Sequence, residues 1–350
     1  MQFVVKTSPH VRKPEARVSR MMGDVSIALS PLVIFAVFVH GLSAFLVFFT
    51  AVVSMGLTEY AYYWWQDYKK TGSKALKNPS FTLTNFTALT SGLIYGLILP
   101  DQIPLLVVAI GGVVGIFFSK LIFGGMGHNI FNIAGFARVF VGLAYATSLG
   151  YSANVDASAG ATVLGILGQD LTANPGVTYS LSTMFTGFGM PGSLGETSAL
   201  LILVGALYLF IRKSYDVFVP LTYLGTVFMI MLAVSLFQPV HASLPLYYLL
   251  SGGLMFGAIY MATDPVTMPI TRPGRIYYAF GLGVVTVLIR VFGNLPEGVV
   301  FAIVIMNMFA PALDIPRFAK TKFTLRSSLI FSAVFLIVTV SIVLGVGYVI

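Results

Sequence analysis

Apolar runs of 17 or more residues, nearly free of charge, recur from one end of this chain to the other, and that pattern restricts the fold more than any single motif. The hydrocarbon core of a bilayer takes about 20 apolar residues per helix, and within it every backbone polar group needs a partner from the protein itself. Runs of this length predict helical spans rather than a β-barrel. With 57% hydrophobic and 9% charged residues over 350 positions, too little polar surface remains for a soluble domain. The expected fold class is all-α, a polytopic membrane helix bundle of ten or eleven transmembrane helices.

The spans predicted are 24–40, 42–63, 83–99, 105–123, 133–149, 195–211, 217–237, 246–262, 276–292, 299–313 and 329–350. The net charge of +8 is no nucleic-acid signal, because nearly all Lys and Arg fall in short loops between spans. Lys6, Arg12, Lys13, Arg17 and Arg20 place the N-terminus in the cytoplasm, and Met1 to Arg20 lacks the apolar core of a cleavable signal peptide. Lys120 is read as a marker of the same side. Between Val139 and Ile211 there is no Lys or Arg, which puts the loop 150–194 on the outer face. Tyr60, Tyr62, Tyr63, Trp64 and Trp65 read as an interface belt. Gly124 to Asn132 is too rich in glycine and polar residues for a lipid-facing helix, so an unwound or re-entrant stretch is expected there.

An internal repeat runs through this pattern. Gly23-Asp24-Val25-Ser26 opens the first span and Gly195-Glu196-Thr197-Ser198 the sixth. Ser91-Gly92-Leu93-Ile94-Tyr95-Gly96 is echoed by Ser251-Gly252-Gly253-Leu254-Met255-Phe256-Gly257. Five spans separate the copies, so the second is expected upside down, as two inverted-topology five-helix repeats. The divisions expected are 1–149 (N-terminal segment and first repeat), 150–194 (outer loop), 195–326 (second repeat) and 327–350 (an extra helix).

Chemistry is narrowed by what the chain lacks. There is no Cys, which removes iron–sulfur ligation and disulfides, and four dispersed His make paired haem ligation a poor fit. No metal site and no catalytic residue set is expected. Any electrons passing through this chain need an organic cofactor. Asp24 and Glu196 stand at the starts of related helices, where a carboxylate can cap free N–H groups. Glu59, Asp264 and Glu297 are carboxylates near the membrane, and such groups suggest ion paths. Asp24, Glu196, Asp264 and Glu297 are the ion-path candidates. Arg138 and Arg290 lie within spans and are expected to need anionic partners, with Arg290 near enough to an end to snorkel.

The outer loop contains Asp156-Ala157-Ser158-Ala159-Gly160-Ala161-Thr162. This tract resembles the flavinylation signature of the B and D subunits of ion-pumping membrane oxidoreductases, an Asp, three small residues and Gly-Ala-Thr. The resemblance extends over most of the chain: Ser8-Pro9-His10, Met22 to Val25 with Ala28-Leu29, Gly125 to Asn132, Gly192 to Ser198, Met261 to Thr267, and Pro296 to Val299 with Met306-Asn307. These stretches are similar to the D subunit of Rnf-type ferredoxin:NAD⁺ oxidoreductases and its relative, the B subunit of the sodium-pumping NADH:quinone oxidoreductase. Ile133 stands where that family has Pro, Ala137 where it has Gly, and the eleventh span exceeds the usual ten.

The resemblance implies a subunit of an ion-translocating oxidoreductase complex, not catalytic alone, in a prokaryotic cytoplasmic (inner) membrane. It implies FMN joined by a phosphoester to Thr162 through a dedicated flavin transferase, with Asp156, Gly160 and Ala161 shaping the loop and Arg138 offsetting the phosphate. It allows for a second, non-covalent flavin such as riboflavin, and implies a bundle similar to urea transporters. The implied partners are the other Rnf-type membrane and peripheral subunits, carrying iron–sulfur clusters and flavins, and Na⁺ or H⁺. The rival is an inverted-repeat solute channel or carrier without redox role, which would have no use for the Gly-Ala-Thr tract.

Overall fold

The computed structural model describes residues 18–72, 86–125, 127–146, 163–172, 176, 179–188, 192–196, 198–251, 253–293, 298–314 and 325–349. Among them no strand occurs. The helices are α1 (Val18–His40), α2 (Leu42–Thr71), α3 (Thr87–Leu97), α4 (Leu105–Ile116) with a π turn Phe117–Leu121, and α5 (Ile133–Ala144). Two short helices follow, α6 (Val163–Gln169) and α7 (Leu181–Thr186). Then come α8 (Ala199–Arg212), α9 (Phe218–Phe237), α10 (Leu244–Leu250), and α11 (Leu254–Phe256) with a π turn Gly257–Met261. The chain ends with α12 (Arg272–Phe292), α13 (Gly298–Leu313) and α14 (Leu325–Val349).

Local chemistry accounts for the joints. Pro31 inside α1 has no N–H to offer Ile27, and the hydroxyl of Ser30 donates to that carbonyl instead at 2.7 Å. α1 passes into α2 through Gly41, whose φ of 70° is left-handed. Asn132, Ser180, Ser198 and Thr271 each accept a backbone N–H at the start of the helix that follows them. α3 crosses α2 closely enough that a Cβ on Gly92 would sit 2.7 Å from the Val52 Cα.

Each of the eleven expected spans contains a helix. Among the described residues five helices, α1, α2, α9, α12 and α14, are long and apolar enough to cross a membrane, and α10 with α11, bent by 59°, makes a sixth if the pair is one span. α3, α4 with its π turn, α5, α8 and α13 have only 10–17 residues. Where an end of such a helix is enclosed by protein, the protein supplies partners that lipid cannot. At the end of α3, for example, the Leu99 and Leu97 carbonyls accept the N–H groups of Leu194 and Gly195.

The same pairing order recurs in the two halves. α2 packs on α3 and α4, and α4 on α5; α9 packs on α10 and α12, and α12 on α13. The halves meet where α1 lies against α8 and α5 against α13. α14 lies outside this scheme against α9 and α12, where Phe331 contacts Tyr277 and Phe280 and the Gln238 amide donates to the Val343 carbonyl.

Candidate functional site

At the end of the bundle that carries Arg212, Lys213 and Arg275, the two halves leave a cavity of about 210 Å³. α1 contributes Met22 and Val25, α3 contributes Thr90, Ser91 and Ile94, and the two π turns contribute Lys120, Ile259 and Tyr260. The segment before α5 supplies Asn129 and Asn132, and the loop after the second π turn supplies Thr263 and Asp264. Its walls are mostly apolar, with a few polar groups set among them, the usual composition of a small-molecule site.

The unwound segment expected at Gly124 to Asn132 is present, and glycine makes it possible. Gly124, Gly125 and Gly127 have φ of 113°, 94° and 86°, and a Cβ on Gly125 would run into the Tyr63 hydroxyl. These turns bring Asn129 to Asp264, to which its amide donates at 3.4 Å. Asn132 ties three elements together. Its side-chain oxygen accepts from Gly135 N–H at 3.0 Å, its amide donates to the Met261 carbonyl at 3.2 Å, and its backbone N–H donates to the Asn307 side chain at 3.0 Å. Ile133 is the first residue of α5, a position at which Pro fits a helix, so the departure from the family pattern leaves the backbone unchanged. Ala137 packs its Cβ against Gly115, where a second Cβ would come within 2.5 Å.

Asp264 sits in the loop after the second π turn, half-buried. Its carboxylate accepts the Val266 N–H at 3.2 Å and the Thr267 hydroxyl at 3.2 Å. Burial pushes the carboxyl above its ordinary range, offset in part by these donors, the Asn129 amide and the charge of Lys120.

Lys120, expected to mark the cytoplasmic side, is only 1% exposed. In the first π turn the Ile122 N–H reaches back to Phe117 rather than to Phe118, and the widened turn buries Ser119 and Lys120 while Phe117 and Phe118 face outward. The ammonium donates to Glu59 Oε1 at 2.7 Å and to Thr87 Oγ1 at 3.0 Å. Glu59 is 3% exposed, and its Oε2 has no hydrogen-bond partner among the described residues. A carboxylate in the apolar run of α2 is the sequence signal that a buried cation has to lie nearby.

The remaining sequence candidates fall elsewhere. Asp24 is no helix cap, since α1 begins at Val18; it is buried between halves, where it accepts from Ser214 at 2.5 Å and Tyr208 at 3.3 Å and pairs with Arg212 at 3.1 Å. Ser214 lines the cavity, so Asp24 lies one residue behind its wall. Glu196 is no cap either, because Ser198 caps α8; its carboxylate fills the space beside Gly253, where a Cβ would collide with it.

Arg290 does not snorkel. It is 4% exposed and donates to the carbonyls of Tyr248 at 2.9 Å and Ser251 at 3.1 Å, at the end of α10. Arg138 donates from Nε to the Ile98 carbonyl at 2.8 Å, at the end of α3. Both guanidiniums thus reach carbonyls at helix ends, where the dipole is negative. Asp156, Gly160, Ala161, Thr162 and Glu297 lie outside the described residues. Among the described residues no three His, Asp or Glu cluster so as to hold a metal ion.

A family model described as the NQR2, RnfD, RnfE family matches residues 4–322. The chain is 35% identical over 322 residues to the D subunit of the proton-translocating ferredoxin:NAD(+) oxidoreductase complex of Clostridium ljungdahlii, covering 89% of this chain and 93% of that one. It is 33% identical over 326 residues to the D subunit of the Na(+)-translocating ferredoxin:NAD(+) oxidoreductase complex of Acetobacterium woodii, covering 92% and 95%. It is also 40% identical over 234 residues to the B subunit of the Na(+)-translocating NADH-quinone reductase of Chromohalobacter salexigens, covering 64% and 56%.

Proposed function

This chain belongs to the NQR2, RnfD, RnfE family, and we propose that it is the D-type membrane subunit of an ion-translocating ferredoxin:NAD⁺ oxidoreductase complex. The observation that carries the reading is end-to-end similarity to two subunits of that name, together with a multi-pass helical fold. The similarity to the quinone-reductase subunit spans a smaller share of both chains, which favours the ferredoxin-linked complex. One relative is named for protons and the other for Na⁺, so the reading is for a monovalent cation, Na⁺ or H⁺.

In this reading Thr162 carries FMN through a phosphoester installed by a flavin transferase, and Asp156, Gly160 and Ala161 give the small, accessible tract that such a modification needs. The subunit sits in the inner membrane of a prokaryote with its N-terminus in the cytoplasm and the Thr162 loop outside, the two halves forming inverted repeats. A bound flavin supplies one- and two-electron transfer; the protein supplies position and charge. Arg138, which offsets the phosphate charge in this reading, also donates to the Ile98 carbonyl at the end of α3.

In this reading the cavity takes the ring of a second, non-covalent flavin. Val25, Ile94 and Ile259 offer apolar faces to a flat ring, while the Asn129 amide, the Asp264 carboxyl and the Thr90 hydroxyl can meet a polar ring edge. Asp264, at the wall, and Asp24, behind it, are the described carboxylates best placed to handle the coupling cation, with Glu196 and Glu297 as the remaining candidates.

The test is in-gel fluorescence of the denatured subunit, co-expressed with a flavin transferase, beside Thr162→Ala. A fluorescent wild-type band that vanishes in the variant is expected. A dark wild-type band, with the transferase active on another substrate, would overturn the reading in favour of a solute channel.

A further inference from the structure

We infer that Lys120 is the charge-positioning residue of the cavity, held by Glu59 and Thr87 so that its remaining ammonium hydrogen meets a ligand acceptor that gains negative charge on reduction. The inference rests on the reading that the cavity takes a non-covalent flavin. An ammonium has three hydrogens to donate. Two are engaged, by Glu59 Oε1 at 2.7 Å and Thr87 Oγ1 at 3.0 Å, and the third has no acceptor among the described residues although Lys120 lines the cavity.

The geometry is built and not incidental. The π turn that buries Lys120 also turns Ser119 inward, with its hydroxyl donating to the Gly115 carbonyl at 2.5 Å, so the lysine has no rotation back to solvent without undoing that turn. Glu59 comes from a different helix, α2, and stays buried with one oxygen unpartnered, a costly arrangement to keep merely to hold α2 against α4. A purely structural pair would be better served by apolar residues of similar size. What apolar residues could not supply is a fixed positive charge at a wall that otherwise carries the Asp264 carboxyl.

A cation beside the ring raises the affinity for the reduced, more negative form over the oxidised one, and so raises the midpoint potential of the bound flavin. Electrons reach and leave the flavin through the redox partners of the complex, and the protons come from water.

The experiment uses the purified full-length subunit, co-expressed with a flavin transferase, with acid-extractable flavin quantified and the midpoint of that flavin measured by titration. The variant is Glu59→Gln combined with Lys120→Met, which removes both charges so that neither is left buried alone. The expected result is flavin retained at wild-type stoichiometry but with its reduced form bound at least tenfold less tightly relative to the oxidised, about 30 mV lower for a two-electron couple. Glu59→Gln alone, which leaves the ammonium without its counter-charge, is expected to move the midpoint the opposite way. If the wild-type subunit releases no flavin into acid, the covalent FMN staying on the chain, the cavity reading falls and this inference with it. If flavin is present and the midpoint is unmoved in both variants, Lys120 is a packing residue and the inference alone is overturned.

Discussion

The two π turns that wall the cavity make the same backbone deformation and put it to opposite uses. In Phe117–Leu121 the widened turn swings a lysine into the protein interior, where it meets Glu59 and Thr87. In Gly257–Met261 every residue is buried and none is charged, and the chain then leaves the helix for the loop that presents Asp264. The i-to-i+5 bonds are alike, Ile122 to Phe117 at 3.1 Å and Ala262 to Gly257 at 2.8 Å. A π turn is therefore only a way of rotating a few side chains inward; the residues inserted decide whether the wall carries a cation or ends in a carboxylate.

Substitutions test that contrast. The largest effect is expected at the first wall. Lys120→Met alone strands Glu59 as an unpaired buried charge and should destabilise the protein by about 3–5 kcal/mol. Thermal unfolding of the purified complex would show it, and adding Glu59→Gln should recover most of the loss. A single variant as stable as the wild type would mean that the pair does not hold this wall.

The second wall depends on a backbone position instead of a charge. Gly253, at the head of α11, has φ 66° and faces the Glu196 carboxylate. Gly253→Ala should lose about 1–3 kcal/mol through the left-handed backbone and the displaced carboxylate. Gly253→Ala with Glu196→Ala should regain only the steric part, which separates strain from collision.

A smaller effect is expected from pH. The Asp264 carboxyl is pushed up in the folded state, so as pH rises the unfolded chain loses this proton first. Between the ordinary carboxylate value and the raised one the folded state holds more protons, and stability falls with rising pH across that window. Asp264→Asn should remove this part of the slope; an unchanged pH profile would show that the loop's donors already satisfy the ionised form. The smallest effect is expected beside the first wall, at the head of α5. Ile133→Pro, at a first helical position, should change stability by less than about 1 kcal/mol, and a larger loss would show that the start of α5 differs from its assignment.

The sequence by itself determined that the chain is a helical membrane protein, where its helices lie, and to which family it belongs. Those conclusions rest on length of apolar run, charge placement and ordered motifs, and each is a local property of the chain. The unwound stretch at Gly124 to Asn132 was legible for the same reason, since three glycines in left-handed geometry leave little else possible.

Only the tertiary structure decided which polar groups meet. Asp24 reads as a helix cap until α8 and the following loop bring Arg212 and Ser214 to it. Arg138 and Arg290 read as counterions, and only the fold shows that they also donate to carbonyls at the ends of α3 and α10. The burial of Lys120 is not legible because one residue more or less in a helical turn rotates a side chain by about 100°, and sequence spacing does not reveal which turn is widened. Partners separated by 61 residues, as Glu59 and Lys120 are, are chosen by packing between helices. The low dielectric between them then makes the choice energetically decisive.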